Sequence, residues 1–364
     1  MKKILSFFLA VILALSVCVF AASAENAEIN GANWMSAIDA STPITAINMP
    51  GTHDTLTRYA PLSIIARTQK MSVSEQLYSG VRYLDIRSRI VNNEVIGVHG
   101  VTNCKESYGL FSKNLTLRSV VESCKNFLRE NSGETILFML KHENANDKTE
   151  LFSKFYDDCI APSKESWFLE NRVPTLGEAR GKIVLLRVAA ADSSRFNDEN
   201  SGINFEEYPY ISSKEMNKFE LRPVCEQDGV AHSFMYVQDS YRIEGEKKNQ
   251  TIKNFFDEPL NSSNFNICCT NSTGMNPPAI NAKKTNAFLM SYDFSKGKTY
   301  GFILMDFVTS ELCEKIYMTN EPLMTNSPNQ SQIPTSFSES YGFMGKFLKN
   351  LRDFILKLFF TFSV

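Results

Sequence analysis

Eight short apolar runs punctuate this chain, and each stops at a polar or charged side chain. Ile44 to Asn48 leads to His53 and Asp54, Val81 to Leu84 to Asp85 and Arg87, and Val95 to Val98 to His99. Thr135 to Leu140 leads to Lys141 and Glu143, and Lys182 to Leu186 to Arg187. Phe234 to Val237 leads to Gln238 and Asp239, Phe265 to Cys269 to Thr270 and Asn271, and Phe302 to Met305 to Asp306. Runs of this length, rich in Val, Ile, Leu and aromatics, read as strands buried on both faces. Their number predicts an α/β fold in which a parallel sheet closes into a barrel, with chemistry at the C-terminal strand ends. A helix is expected over Leu115 to Arg129, with weaker ones at Thr149 to Asp158 and Gln250 to Phe256. No helix fits between Arg87 and Val95, where Asn92-Asn93 reads as a hairpin turn, so the barrel is expected to be irregular.

Composition narrows the function. With 364 residues, 43% hydrophobic, 21% charged and a net charge of -2, the chain is neither disordered nor a coiled-coil rod, and it lacks the basic balance of a nucleic-acid binder.

The two ends differ from the body. Lys2 and Lys3, the apolar stretch Ile4 to Phe20 and Ala22-Ser23-Ala24 predict a signal peptide over 1–24 and hence secretion. Seven cysteines follow it, an odd number, expected as buried thiols with one or two bridges at most. Residues 25–319 are expected to form a single catalytic domain and 320–341, poor in apolar residues, a polar linker. Over 342–364, Phe343, Phe347, Leu351, Phe354, Ile355, Leu358 and Phe362 form a helical stripe, opposed by Lys346, Lys349 and Lys357. This predicts a basic amphipathic helix lying on a membrane surface, with docking on the barrel as the competing reading.

Only four histidines occur, and His53 and His99 both sit at strand ends. Two imidazoles can serve as base and acid around one reaction, because the group titrates near neutrality. Asp54 and Asp306 are placed to accept imidazole N–H bonds. Alternation puts Asp85 and Arg87 on one face of a strand, where an inward arginine suits either an internal ion pair or a bound phosphate. No P-loop, no His-Glu-x-x-His and no clustered carboxylates of a metal phosphodiesterase are present, so no metal and no cofactor are expected.

Pro50-Gly51-Thr52-His53-Asp54, Leu84-Asp85-Ile86-Arg87 and the strand ending at His99 resemble the X-domain of bacterial phosphatidylinositol-specific phospholipase C. The resemblance runs on through Ser132 to Ile136, Lys141, Leu176 to Leu186, Val237 to Tyr241 and Met305-Asp306, over roughly residues 30–320. It implies a distorted TIM-type barrel that cleaves phosphatidylinositol at a membrane surface without metal, as a monomer. By the same resemblance His53 is the general base and His99 the general acid, assisted by Asp54. Arg87 stabilises the phosphorane charge, Asp85 supports Arg87, and Asp306 orients His53. Lys141, Arg187, Asp239 and Tyr241 are the implied head-group residues. The family often carries an arginine just after the strand that here ends at Leu186; Arg187 comes one residue early and Val188 follows, which turns the side chain to the other face.

Three other readings stand beside this one. A metal-dependent glycerophosphodiesterase would want a carboxylate where Arg87 stands. A non-catalytic inositide-binding module would need no acid–base pair. A related enzyme acting on another lipid or on glycosyl-phosphatidylinositol would share the catalytic set and differ in the pocket.

Overall fold

The computed structural model describes residues 29–109, 111–143, 148–211, 213–227 and 230–325. The expected signal peptide at 1–24 and the amphipathic segment at 342–364 lie outside the described residues, as does the linker beyond 325.

Twelve strands form one curled sheet: β1 Met49–Thr52, β2 Tyr83–Val91, β3 Glu94–His99, β4 Thr102–Asn103, β5 Ile136–His142, β6 Trp167–Phe168, β7 Ile183–Arg187, β8 Ile203–Asn204, β9 Glu220–Gln227, β10 Val230–Gln238, β11 Phe265–Cys269 and β12 Phe302–Met305. The order is β6-β7-β5-β2-β1-β12-β11-β10-β9, with β8 also on β7 and the β3–β4 pair hanging from β2. Every ladder along the path is parallel except β9 on β10. Among the described residues no ladder joins the two ends, so the barrel is distorted and open. β5, β7, β11 and β12 are buried throughout or nearly so, because their inner face fills the barrel and their outer face meets helices.

Two expected strands differ. Ile44 to Asn48 is not a strand: Pro43 leads into a 3-10 turn at Ile44–Ala46, and the strand starts at Met49. The Val95 to Val98 run is β3, antiparallel to β2, so it lies off the parallel path. The turn that joins them has Asn92 at φ 51° and Asn93 at φ 62°. Asparagine tolerates this left-handed conformation, and a two-residue loop of that kind matches the twist of a hairpin.

Leu117–Glu130 is the strongest predicted helix, with Leu117, Val120, Val121, Cys124, Phe127 and Leu128 on its buried face. Thr116 caps it by accepting from Ser119 N at 3.3 Å. The weaker pair appear as Lys148–Phe155 and Glu246–Asp257. The seven cysteines after residue 100 are all free, buried thiols, with no bridge between them.

Two polar knots hold the N-terminal side of the barrel. Arg82 and Glu134 are fully buried; Arg82 donates to Glu134 Oε2 at 3.0 Å from Nε and 2.7 Å from Nη2, and to the carbonyls of Gly31, Leu77 and Val81. Glu134 in turn accepts from Ser36 N and Oγ at 2.8 and 2.9 Å. Asn48 accepts from Tyr300 N at 2.7 Å, and Asn320 Nδ2 donates to Asn48 O at 2.8 Å. The expected linker therefore begins on a buried latch: Asn320 belongs to the 3-10 turn Met318–Leu323, packed on the barrel.

Breaking the Arg82–Glu134 pair should leave a buried guanidinium uncompensated. Glu134→Ala is expected to cost about 3–5 kcal/mol of stability, read as a lowered urea midpoint with unchanged slope. A loss within ordinary surface-mutant range would show the pair to be dispensable.

Candidate active site

Strand register decides which side chains meet. Gly51 lies beside Tyr83 and Leu304, Asp85 beside Met139, Arg87 beside Lys141, Met139 beside Leu186, and Leu304 beside Cys269. Neighbours in register share a face, and each strand returns to that face every second residue. The inner face therefore carries Asp85, Arg87 and Lys141, and two residues beyond it the strand ends present His53, Val188, Asp239 and Asp306.

Two backbone turns complete the placement. Asp54 has φ 44° and Phe307 φ 50°, both left-handed, so the chain leaves β1 and β12 sharply just after His53 and Asp306. A non-glycine residue there is strained by about 1–3 kcal/mol and needs support. Asp85 O accepts from Thr55 N at 3.1 Å, and Thr68 O from Phe307 N at 2.6 Å. Gln69, fully buried, donates to His53 O at 2.9 Å and Met305 O at 2.8 Å, tying both turns together.

The cluster is built around the Asp54 carboxylate. Its Oδ2 lies 3.2 Å from Nε2 of His53 and 3.2 Å from Nε2 of His99, and its Oδ1 lies 2.6 Å from Arg87 Nε. The far nitrogens are held separately: His53 Nδ1 bonds Asp306 Oδ1 at 2.8 Å, and His99 Nδ1 donates to Ala66 O at 2.7 Å. The rings stand nearly perpendicular, 6.5 Å between centres. Arg87 Nη2 is 3.0 Å from His53 Nε2, Arg87 Nη1 is 3.6 Å from Glu143, and Lys141 Nζ is 3.1 Å from Asp85 Oδ1.

Burial alone would push the Asp54 carboxyl up, but Arg87 and the two imidazoles outweigh it and hold it well below the usual carboxylate range. Burial opposes a charge on His53, yet Asp54 and Asp306 raise it to about 9. Burial raises Asp306 and Asp239.

Of the residues singled out in the sequence, His53, Asp54, Asp85, Arg87, His99, Lys141 and Asp306 form one contiguous cluster. Asp239 is buried at the same face, and Tyr241 follows on its loop. Arg187 is not brought to the cluster. Its guanidinium donates to Ser201 O at 3.0 Å and Ala189 O at 2.8 Å, pairs with Glu206, and lies over the Phe152 ring. The inner position falls to Val188, which is buried. Four contributors had no signal in the sequence: Gln69, the Ala66 carbonyl, and Tyr208 and Tyr210, whose rings lie 4.2 and 5.9 Å from Lys141 Nζ. Gln69, Tyr208 and Tyr210 come from loops and Ala66 from the end of a short helix, and their approach depends on the tertiary fold.

His53, Asp54 and Asp85 offer atoms within 4.8 Å of one another, as a metal site would. Arg87 and Lys141 already stand against those two carboxylates and supply positive charge there. What remains is a pair of imidazoles, oriented separately and meeting at one carboxylate oxygen, with a guanidinium beside them: the groups needed to cleave a phosphodiester by acid–base catalysis.

The chain is similar to known proteins both in sequence and in structure. The profile of the family "Phosphatidylinositol-specific phospholipase C, X domain" matches residues 49–188. A 1-phosphatidylinositol phosphodiesterase of Staphylococcus aureus is 30% identical over 245 residues, 64% of this chain and 71% of that protein. The protein of the same name from Listeria monocytogenes is 34% identical over 163 residues, 42% of this chain, a match that spans 47% of that protein's length. In structure, the phosphatidylinositol-specific phospholipase C of S. aureus superposes with a TM-score of 0.62 at 22% identity, over 80% of this chain and 98% of that one. The L. monocytogenes enzyme does so with a TM-score of 0.60 at 24% identity, over 80% and 99%. The chain belongs to the phosphatidylinositol-specific phospholipase C X-domain family, and its fold is the distorted α/β barrel of the bacterial members.

The His53 charge gives a signed expectation. Its raised value means that His53 stabilises the fold fully below pH about 6.5 and loses that contribution as the pH rises through about 9. Asp306→Asn removes one of the two carboxylates that raise it, so the His53 midpoint should fall by about one unit or more. Imidazole nitrogen NMR of both proteins checks this; an unchanged midpoint would mean that Asp306 does not set the charge.

Proposed function

We propose that this protein is a metal-independent phosphatidylinositol-specific phospholipase C. The observation that carries it is the geometry around Asp54: two imidazole Nε2 atoms each 3.2 Å from the same carboxylate oxygen, with Arg87 beside them.

In this reading the inositol 2-hydroxyl is the nucleophile, and it lies in the same molecule as the phosphorus it attacks, so positioning does much of the work. In its neutral form, which the raised value makes the minority form near pH 7, His53 takes the hydroxyl proton on Nε2 as the O–P bond forms, with Asp306 holding the other nitrogen. Arg87 meets the charge that grows on the phosphoryl oxygens. His99 Nε2 gives a proton to the glycerol oxygen as its bond to phosphorus breaks, with Asp54 and the Ala66 carbonyl fixing the ring. The products are diacylglycerol and inositol 1,2-cyclic phosphate. Asp85 holds Lys141, and Lys141, Asp239 and Tyr241 receive the inositol ring. Arg187 drops out of the pocket, because its donors are engaged elsewhere.

The rim supports a lipid substrate. Leu62, Ile64 and Ile65 are 64%, 73% and 63% exposed on the short helix that ends at Ala66, whose carbonyl binds His99. Tyr108 and Phe111 are exposed on the loop that follows β4, and Arg67 donates to the Tyr108 hydroxyl at 2.7 Å. Apolar side chains beside the acid suit a membrane face. The basic amphipathic stripe of 342–364 adds a second interfacial element in this proposal, and the leader pattern of 1–24 supports an enzyme that acts outside the cell.

The metal-dependent reading retains one supporting observation, the His53–Asp54–Asp85 set. Assay on phosphatidylinositol vesicles with and without EDTA decides between them. Full activity in EDTA is expected; a loss restored by calcium would favour the metal enzyme.

His53→Ala and His99→Ala should each lower kcat by about 10²–10⁴-fold. The double variant should be little worse than either, because the two proton transfers are coupled. His142→Ala and His232→Ala should retain most activity. Comparable losses at all four positions would refute the assignment. Ile64→Asp with Ile65→Asp should weaken vesicle binding and turnover while sparing a soluble inositol phosphodiester. Equal losses on both substrates would place the helix in folding rather than docking.

A further inference from the structure

Behind the head-group pocket lies a charge that the mechanism does not use. Lys248 is fully buried in the first turn of the helix Glu246–Asp257. Both features are unfavourable: a buried ammonium is desolvated, and a cation at a helix N-terminus opposes the helix dipole. Its bonds show what retains it. Lys248 Nζ donates to Gln238 Oε1 and to Ser240 O, both at 3.2 Å. The same Gln238 Oε1 accepts from Ser240 N at 2.9 Å, and Gln238 Nε2 donates to Cys269 O at 2.8 Å. These acceptors are uncharged and bracket Asp239, the carboxylate at the end of β10.

Asp239 itself accepts no side-chain hydrogen bond from the described residues, and it is buried at the pocket face. The charged groups facing it are Lys141 from β5, Lys248 from its helix, His53 from the end of β1 and Arg87 from β2. Burial pushes the Asp239 carboxyl up, and the two lysines pull it back first. The loop beyond is clamped from its other side: Thr273 N donates to Tyr241 O at 2.6 Å, and Glu244 accepts from Asn281 Nδ2 at 2.8 Å.

We propose that Lys248 is a positioning residue for the head-group pocket, holding the Gln238–Tyr241 turn so that Asp239 faces the pocket as an acceptor for inositol hydroxyls. It never touches substrate, so its effect falls on binding rather than on the chemical step. The inference rests on the phosphatidylinositol reading for its substrate, and on the Lys248 hydrogen bonds to Gln238 and Ser240 for its hold on the turn that carries Asp239.

The test uses the full chain with Lys248→Gln, which keeps a hydrogen-bond donor without charge, and Lys248→Met, which removes both. Carboxylate carbon NMR, with Asp239→Asn to identify the resonance, follows the Asp239 titration. Both variants should raise its midpoint by about one pH unit, a tenfold change in proton affinity. On phosphatidylinositol in mixed micelles, KM should rise about tenfold with kcat within about twofold, as expected for a loss of uniform binding. An Asp239 midpoint that stays put in both variants, with only earlier melting, would make Lys248 a structural residue and overturn the proposal. A shifted midpoint with unchanged KM would overturn its role in the pocket. Failure of the substrate reading shows separately, as a wild-type protein that does not turn over phosphatidylinositol; the pocket role then falls with it, while the titration still decides the hold on Asp239.

Discussion

One buried carboxylate organises this site. Asp54 lies almost out of reach of solvent, and an isolated charge there would be strongly disfavoured. It is tolerated because Arg87 and two imidazoles surround it within 3.2 Å. The arrangement is reciprocal: the same carboxylate draws His53 and His99 into positions where their reactive nitrogens flank one point, and it holds the arginine beside them. The left-handed backbone at Asp54 is part of this, since a residue in ordinary extended conformation would continue the strand and carry the carboxylate away.

The barrel divides its polar interior between its two ends. At the strand starts, Arg82 with Glu134 and Asn48 with Asn320 form closed knots whose donors and acceptors meet one another. At the strand ends, charge is concentrated but left open: Arg87 is partly accessible and Asp239 keeps uncommitted oxygens. Closed networks stabilise, while an open one is available to a ligand. A fold with stability at one end and chemistry at the other can accept changes in its loops without losing its core.

The same division explains the membrane reading. His99 is fixed on one nitrogen by the Ala66 carbonyl, and that carbonyl ends the helix on which Ile64 and Ile65 are exposed. The rim and the carbonyl that fixes His99 thus belong to one short segment of chain. In the proposed reading, a substrate that arrives from a lipid surface meets the apolar residues first and His99 next.

Much of the site was legible along the chain, because β-strand alternation is local. Once Asp85 and Arg87 are two residues apart in a strand, they share a face wherever that strand lies; the same rule places Arg187 away from the pocket and Val188 toward it. The apolar runs determined the parallel strands for a related reason, since only strands buried on both faces are apolar without interruption. The exceptions are instructive. Ile44 to Asn48 has strand composition, but Pro43 starts a turn there, and Val95 to Val98 became antiparallel because the Asn92-Asn93 turn returned it against β2. Gln69, the Ala66 carbonyl, Tyr208 and Tyr210 had no local signature at all. Each acts through a contact between segments far apart in sequence, and distance along the chain says nothing of distance in space until the barrel has curled. The sequence by itself determined which side chains could do the chemistry and which face of each strand they occupy. Tertiary structure alone decided that they converge on Asp54, because only the curl of the sheet brings the ends of β1, β2, β5, β10 and β12 to one point.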